Sequence, residues 1–185
     1  MKRGTEKHSL STLLFLCVAL LAGFSVGCED PPATRAELDA MSALQRVHGH
    51  VVDDAKGHGV KVNFKGTSVT DAQLAPIADL PLLEFVNLDA TPITDAGLAH
   101  LEGLKSLKKL SLRQTKVTDA GLSHLQKLPS LDELDLEYQP ISDAGLAELA
   151  PIKSLRKLYL TKNGLTSAGV DALKTANPAV KVSLR

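Results

Sequence analysis

Residues 117–128 read VTDAGLSHLQKL, and two other stretches of the chain repeat the same pattern. Residues 93–104 read ITDAGLAHLEGL and residues 141–152 read ISDAGLAELAPI, each displaced by 24 positions. The string combines Thr, Asp, Gly and His, and catalytic sites also use several of these residue types. The first question is therefore whether the string forms a site several times or is a structural unit.

The repeat extends in both directions with an unbroken period of 24 residues. Its second position is always Thr or Ser, its fourth is always Ala, and its third is Asp in every unit except the last, where Ser167 stands. The aliphatic first positions are Val69, Ile93, Val117, Ile141 and Leu165. Each unit also contains a short alternating segment, as in LKKLSLRQT at residues 107–115, and alternation with a period of two predicts a strand.

Across residues 59–185 this pattern resembles the leucine-rich repeat, L-x-x-L-x-L-x-x-N/C/T-x-L. The TDAGL form looks like repeats of bacterial secreted proteins and is also similar to those of F-box and ribonuclease-inhibitor-like proteins. The resemblance implies an α/β solenoid of about five repeats, a short right-handed horseshoe arc with parallel strands on the concave face and helices on the convex face. Neighbouring coils are expected to stack, because a single coil cannot bury its leucines alone.

The polar residues of the string then receive structural roles. Thr118 is expected to cap a helix and Asp119 to interact with the helix dipole, while Ala120 and Gly121 allow the next coil's backbone to approach. The Asp series is assigned to capping in preference to metal binding or catalysis. A second polar series, expected to bond the turn that leaves each strand, comprises Thr67, Thr91, Thr115, Gln139 and Asn163.

An N-terminal cap is predicted at residues 36–58, before the repeat domain. Leu38, Met41, Leu44 and Val47 recur every third position, as on one face of a helix. Residues 50–64 read HVVDDAKGHGVKVNF, with apolar ends around a polar turn, and this pattern predicts a short hairpin or, alternatively, a strand with an irregular approach.

Residues 1–27 are predicted to form a signal peptide, because basic residues precede a short apolar run that ends in small residues. An uncleaved anchor is the alternative, although the run falls slightly short of the ~20 apolar residues of a spanning helix. Residues 28–35 contain two prolines and are predicted to be an extended tether.

Cys28 is the predicted lipid-attachment residue. Gly27 and Cys28 match the bacterial lipobox, whereas Ser25 departs from it because an aliphatic residue is usual there. Ser25 and Gly27 also suit an ordinary signal peptidase, which would release a protein with a free thiol. We therefore expect an exported protein, anchored in a membrane on the periplasmic or cell-surface side, with secretion as the alternative. No cysteine follows Cys28, so a disulfide framework in the mature chain is excluded.

Charge and motifs limit the function classes. The formal net charge is zero at pH 7, which gives no electrostatic reason to expect a nucleic-acid partner. The chain has no nucleophile elbow, P-loop or dinucleotide fingerprint, so no enzyme activity, catalytic residue or cofactor is predicted. His48, His50 and His58 lie near two aspartates, but their spacing matches no known zinc motif. His100 and His124 are expected on the exposed outer surface.

The residues between the inward leucines of each strand are expected to project from the concave face in three rows. The first row is Lys61, Phe85, Lys109, Glu133, Lys157 and Lys181. The second row is Asn63, Asn87, Ser111, Asp135, Tyr159 and Ser183. The third row is Lys65, Asp89, Arg113, Glu137, Thr161 and Arg185. The candidate interaction residues are Phe85, Lys109, Arg113, Glu133, Asp135, Glu137, Tyr138, Lys157 and Tyr159.

These observations predict a monomeric, non-enzymatic module of the bacterial cell envelope that binds a protein or peptide and reaches the membrane through its lipid anchor. Aromatic residues are enriched at binding hot spots, which favours this interpretation. Alternatively, the charges pair across neighbouring strands and merely keep the face soluble. The chain would then be a structural repeat scaffold without a tight ligand. A third hypothesis is a metal-binding protein that uses the N-terminal histidines.

Overall fold

The computed structural model describes residues 31–161 and 163–184. The predicted signal peptide, Cys28 and the first three residues of the predicted tether, 28–30, lie outside the described residues. Within the described ranges, no helix has the length and apolar character needed to cross a membrane.

The described part of the chain has a first helix, α1 (Arg35–Arg46), followed by an antiparallel hairpin of strands β1 (His50–Asp53) and β2 (Gly59–Asn63). The predicted helix and hairpin are therefore confirmed. The predicted apolar face of the helix is wrong at Leu38, which is 49% exposed. Glu37 occupies the interior instead and is 3% exposed.

Five further strands extend the sheet in chain order, and each is parallel to the one before it. They are β3 (Phe85–Asn87), β4 (Lys109–Ser111), β5 (Glu133–Asp135), β6 (Lys157–Leu160) and β7 (Lys181–Leu184). The register aligns the whole predicted first row, from Lys61 in β2 to Lys181 in β7. A constant period of 24 residues produces this alignment, because equivalent positions of successive coils stack directly.

Short helical segments connect the strands. They are α2 (Asp71–Leu74) continued by a 3₁₀ helix (Ala75–Asp79), α3 (Asp95–Leu98) continued by a 3₁₀ helix (Ala99–Leu101), a 3₁₀ helix (Asp119–Lys127), α4 (Asp143–Leu149) and α5 (Ser167–Ala176). A 3₁₀ helix rises ~2.0 Å per residue, compared with 1.5 Å for an α-helix. A short segment can therefore span the coil and leave enough residues for the turns.

The core consists of aliphatic side chains from the helix, turn and strand of each coil. In the central coil, six leucines are at most 1% exposed: Leu122, Leu125, Leu128, Leu131, Leu134 and Leu136. Full burial of one such side chain contributes ~1.5–3 kcal/mol. The predicted inward positions are confirmed, and their burial requires a neighbouring coil on either side.

Strands β2 to β5 each lead into a turn that contains one residue with a positive φ angle. Gly66, Ala90, Gln114 and Tyr138, spaced by one period, have φ angles of 71°, 53°, 52° and 59°. Only Gly66 adopts this left-handed conformation without strain. The turn is fixed by a backbone hydrogen bond to the next coil; the Tyr138 amide, for example, donates to the Thr161 carbonyl at 2.7 Å. Tyr138 therefore lies on a turn beyond the strand, with its side chain 38% exposed.

Candidate functional site

The aspartates of the repeat form bridges between coils. We call Asp71, Asp95, Asp119 and Asp143 the Asp ladder. The Asp119 carboxylate accepts the amide of Ser142 at 2.9 Å and its hydroxyl at 2.5 Å, and the other three aspartates bond Thr94, Thr118 and Thr166 in the same way. The predicted role at the dipole of the aspartate's own helix therefore describes these residues only in part. Each carboxylate also binds the Thr or Ser that precedes the following helix.

The glycines of the string make room for these carboxylates. A Cβ atom on Gly121 would collide with the side chain of Asp95, and one on Gly145 would collide with Asp119. Gly97 and Gly169 stand in the same relation to Asp71 and Asp143. The glycine at this position was predicted to let the backbone of a neighbouring coil approach. That explanation is wrong, because an aspartate side chain of the preceding coil occupies the space.

The two exceptions in the series occur at its ends. Gln73 replaces Gly in the first unit, and its Oε1 accepts the amide of Thr70 at 3.0 Å and the hydroxyl at 3.1 Å. Gln73 thus supplies from within the coil the acceptor that an aspartate supplies elsewhere. Ser167 replaces Asp in the last unit, where the described residues contain no threonine of a later coil.

The predicted capping by the Thr and Ser hydroxyls is confirmed in part. Thr94, Ser142 and Thr166 accept first-turn amides at 3.3, 3.2 and 3.2 Å. Thr118 makes no such bond. The other polar series bonds the strand-exit turns as predicted; Asn163, for example, donates to the carbonyls of Leu136 at 3.0 Å and Gln139 at 2.9 Å.

Two of the histidines lie within hydrogen-bond distance of a glutamate. His58 Nδ1 lies 2.8 Å from Glu37 Oε1, and both side chains are 4% exposed. Burial raises the pKa of Glu37, but hydrogen bonds from the Thr34 amide and from His58 outweigh it and hold the pKa below its usual value of 4.5. This pair joins α1 to the hairpin. The part of the chain that the structure describes contains no group of three or more metal-ligating side chains.

His124 is not the purely solvent-exposed residue that the sequence predicts. It is half-buried, and its Nδ1 lies 2.6 Å from Glu102 Oε1, while Lys127 Nζ donates to Glu102 Oε2 at 2.7 Å. Hydrogen bonds from Lys127 and His124 lower the pKa of Glu102. His124 therefore joins two neighbouring coils on the helical side of the solenoid.

The middle of the first row contains an ion-pair triplet. Glu133 Oε2 lies 3.3 Å from Lys109 Nζ and 3.2 Å from Lys157 Nζ. Burial raises the pKa of Glu133, but the two ammonium groups outweigh it, so the pKa lies below its usual value. The bond to Glu133 raises the pKa of Lys157. These residues are brought together as the alternating charges of the sequence predict.

Arg113 is the centre of a second cluster, at the carboxyl ends of the strands. Its Nη2 lies 3.1 Å from Glu137 Oε2, its Nε lies 4.0 Å from Asp135 Oδ2, and its guanidinium lies over the Tyr138 ring, 5.6 Å from the centroid. Glu137 also accepts the Thr161 hydroxyl at 3.2 Å. The geometry matches a cation–π contact flanked by carboxylates.

The third row does not project as predicted at two of its positions. Asp89 is 8% exposed and Glu137 is 6% exposed. Asp89 accepts the Ser111 hydroxyl at 2.5 Å and the Arg113 amide at 3.1 Å, both from the following coil. Each of these residues directly precedes the left-handed turn, and its carboxylate turns along the solenoid to reach those donors.

Asp135 is the carboxyl group of the face whose pKa is raised. Burial is the main cause, and the charges of Glu137 and Asp89 add to it, while the Glu137 amide and Arg113 act in the opposite direction. The carboxyl ends of β3 to β5 therefore carry three carboxylates, Asp89, Asp135 and Glu137, against the single positive charge of Arg113.

Phe85 lies in a shallow hollow at the N-terminal end of the face. The hollow has a volume of about 410 Å³ and is lined by Lys61, Glu84, Phe85, Lys108 and Lys109. Phe85 is half-buried, and Lys108 Nζ donates to Glu84 Oε1 at 2.6 Å. We call this feature the Phe85 hollow. The sequence prediction included neither Glu84 nor Lys108, although their opposite charges recur exactly one period apart.

Comparison with known proteins agrees with the geometry. A family model described as Leucine Rich repeat matches residues 103–125 and 152–174. The fold is a leucine-rich repeat solenoid. No curated protein matches the sequence significantly.

Solved structures of similar fold are distant in sequence. The structure named leiomodin-1 actin-binding site 2 is 17% identical with a TM-score of 0.52, and the match covers 79% of this chain and 91% of that one. An internalin from Listeria monocytogenes is 21% identical over 79% of this chain and 50% of its own, with a TM-score of 0.49. The PEPR1–AtPEP1 crystal structure is 19% identical over 72% of this chain and 19% of its own, with a TM-score of 0.47. The chain thus spans half of the internalin and a fifth of PEPR1.

On the leucine-rich repeat solenoid, the candidate interaction residues divide into two clusters and two separate aromatic residues. The ion-pair triplet and the Arg113 cluster account for seven of them: Lys109, Glu133, Lys157, Arg113, Asp135, Glu137 and Tyr138. Phe85 lies in its own hollow, and Tyr159 is half-buried in β6, opposite Asp135 in the register.

Proposed function

We propose that this chain is a non-enzymatic module that binds a protein or peptide on the concave face of its leucine-rich repeat solenoid. One observation supports this most directly. Phe85 and Tyr159 remain partly exposed on a sheet whose backbone is fixed by bonds between coils. Aromatic side chains on a rigid surface contribute large contact areas at low entropic cost, and such residues dominate binding energies.

The non-enzymatic part of the proposal rests on the carboxylates. The Asp ladder, Asp89 and Glu137 all accept hydrogen bonds from neighbouring coils. Asp135 has a raised pKa, and its carboxylate accepts the Glu137 amide at 3.0 Å and lies 4.0 Å from Arg113 Nε. These acids therefore stabilise the stack rather than form a catalytic pair.

A structural scaffold without a tight ligand is the second candidate, and a specific observation favours it. In the Lys109–Glu133–Lys157 triplet and the Arg113–Glu137 pair, charged side chains in the middle of the face bond one another across neighbouring strands. The binding proposal therefore depends on Phe85 and Tyr159 rather than on the charged centre.

We further propose that the protein is exported to the bacterial cell envelope and anchored through a lipid on Cys28. The basic start, the apolar run and the Gly27–Cys28 pair of the sequence support this location. Intact-mass measurement of the protein purified from membranes is the test. A diacylglyceryl group on an N-terminal Cys28 is the expected result, and an unmodified thiol or an uncleaved leader would contradict it.

The binding proposal is tested with the purified protein and an extract of the envelope. Cross-linking followed by mass spectrometry is expected to yield a saturable partner whose cross-links map to strands β3 to β6. Phe85→Ala/Tyr159→Ala is expected to weaken its capture at least ~10-fold, as for hot-spot truncation. The control His100→Ala/Lys174→Ala, on the helical segments, should retain capture.

Both double variants must keep the far-UV circular dichroism spectrum of the parent. Cross-links that map to the helical segments, or equal capture by both variants, would contradict binding on the concave face. A protein with no saturable partner would favour the scaffold.

A further inference from the structure

The concave face divides its charges along the strands. The first row has four lysines and a single glutamate, Glu133, so it retains an excess of three positive charges. Glu133 is shared between Lys109 and Lys157. Lys61 and Lys181 are exposed and have no ion-pair partner among the described residues. The strand starts therefore form a basic line across the whole sheet.

The strand ends have the opposite balance. Lys65 and Arg113 face Asp89, Asp135 and Glu137 there, which leaves an excess of one negative charge among the described residues. Four residues separate Lys109 from Arg113, so the basic line lies only ~13 Å from the acidic region. A ligand must therefore be narrow to contact the positive charges alone.

The Phe85 hollow adds an apolar contact to the basic line. Lys61 and Lys109 lie beside Phe85 in the register, one on each neighbouring strand. Lys108 also lines the hollow, but its charge is engaged by Glu84. An apolar side chain fits against the ring while carboxylates on either side of it meet free or half-neutralised lysines.

We propose that the ligand is an acidic, extended peptide that crosses the strand starts from β2 to β7 with an apolar side chain on Phe85. This inference rests on the proposed binding function and specifies the chemistry of the partner. Neighbouring strands are ~4.8 Å apart, so Lys61, Lys109 and Lys157 repeat every ~9.6 Å. A polyproline II peptide returns to the same face every third residue, after ~9.3 Å. Carboxylates at every third position therefore match the lysines.

The same charges argue against an anionic membrane as the partner. A flat lipid surface is much broader than ~13 Å, so it would meet Asp135 and the other carboxylates together with the lysines. Repulsion between like charges would oppose that contact. A peptide lying along the first row avoids the acidic strand ends.

The test is selection of a random 12-residue display library on the purified protein. Enriched peptides are expected to carry net negative charge and an apolar residue, and their affinity should fall as the salt concentration rises. Lys61→Gln/Lys181→Gln is expected to weaken them ~4–25-fold, at ~2–5-fold per exposed charge. Lys116→Gln/Lys174→Gln, which removes two charges outside the first row, should leave affinity unchanged.

The possible outcomes separate the two proposals. Enriched peptides that are neutral or basic, yet lose binding with Phe85→Ala/Tyr159→Ala, would overturn the acidic ligand and leave the binding function standing. Absence of enrichment, or peptides insensitive to that aromatic variant, would overturn both. Vesicles of phosphatidylglycerol and phosphatidylcholine form a parallel arm. Vesicle binding that depends on Lys61 and Lys181, without acidic peptides, would identify a lipid surface and overturn the peptide.

Discussion

The Asp ladder and the first row of the concave face both contain carboxylates that bridge neighbouring coils. In the ladder, Asp119 accepts the backbone amide and hydroxyl of Ser142, and Gly145 leaves space for it. On the face, Glu133 accepts two lysine ammonium groups that are about half exposed. The carboxylate thus accepts hydrogen bonds from a backbone amide and a hydroxyl in one region, and from exposed lysine side chains in the other.

This difference explains why one region repeats and the other varies. A backbone amide that loses its acceptor in a partly buried position costs the full desolvation penalty, so the ladder tolerates few substitutions. An exposed ion pair contributes little and loses side-chain entropy, so its members can change without loss of fold. A ligand-binding surface is therefore expected where the bridges are weak.

The largest effect is expected from Gly121→Ala, which forces a methyl group against Asp95. We expect a loss of about 3 kcal/mol of unfolding free energy, in the range for overpacking. In an Asp95→Ala background the same change should cost little, because Ala favours a helix over Gly. Urea denaturation of the four proteins of this cycle is the measurement. Equal costs in both backgrounds would contradict the role assigned to the glycine.

The next effect is expected from Asp119→Ala, which leaves the amide of Ser142 without its acceptor. A loss of about 2 kcal/mol is expected, and Asp119→Asn should lose less because its amide oxygen can still accept. The control is Asp171→Ala on α5, where the exposed carboxylate has no bond among the described residues; it should stay within ~0.5 kcal/mol. If the control costs as much as Asp119→Ala, the ladder is not a special stabilising feature.

A smaller effect, opposite in sign between Asp143 of the ladder and Asp135 of the second row, is expected on changing the pH. Hydrogen bonds from the hydroxyl and amide of Thr166 hold the pKa of Asp143 below 3.8, whereas burial, with Glu137 and Asp89, raises that of Asp135 above 3.8. The Asp143 carboxylate therefore contributes stability that is fully present above pH 3.8, the unfolded-state value. This contribution is lost as the pH falls through the lower pKa of the folded state. The contribution of Asp135 is present below pH 3.8 and is lost as pH rises through its folded-state pKa.

Denaturation of Asp143→Asn and Asp135→Asn against the parent, between about pH 2 and 6, measures these contributions. The stability deficit of Asp143→Asn should shrink as the solution becomes acidic. The relative stability of Asp135→Asn should improve as pH rises. Parallel pH profiles of the two variants would contradict the opposite pKa shifts of Asp143 and Asp135.

The smallest effect is expected from Glu133→Gln on the face. The change removes both lysine pairs, yet we expect a loss below ~1 kcal/mol, because the lysines are exposed. Thermal unfolding at low and high salt is the measurement, and the loss should shrink with salt. A loss larger than that of Asp119→Ala would make the face structural and would weaken the case for a ligand there.

The strands, their register and the buried leucines could be predicted from the sequence, because one coil's pattern recurs at a constant period. The acceptor role of the Asp ladder was missed, since the donor lies 23 residues later and the local helix pattern does not show it. The sequence nevertheless contains a signal for it, because Gly stands 26 residues after each Asp of the ladder. Where the earlier position holds Val47 and no carboxylate, the residue 26 positions later is Gln73 instead of Gly.

Other misses share this origin in distant contacts. The apolar pattern of α1 does not include Glu37, so the sequence gives no sign that this residue is buried. Its carboxylate can be buried because the hairpin brings His58, 21 residues away, into hydrogen-bond contact with it. The burial of Asp89 and Glu137 depends on the left-handed turns, whose Ala, Gln and Tyr residues give little local indication of a positive φ angle. Periodicity shows which residues stack, but not which side chains turn towards the next coil.

The relation between Asp and Gly also determines how such a chain can lengthen by gene duplication. A duplicated internal unit brings its own Gly to accommodate the aspartate before it and its own Asp to bond the unit after it. A duplicated first unit would bring Gln73 against an aspartate, and a duplicated last unit would offer Ser167 in place of a carboxylate. The array can therefore grow from its interior by single genetic events, whereas growth from either terminal unit requires a compensating substitution.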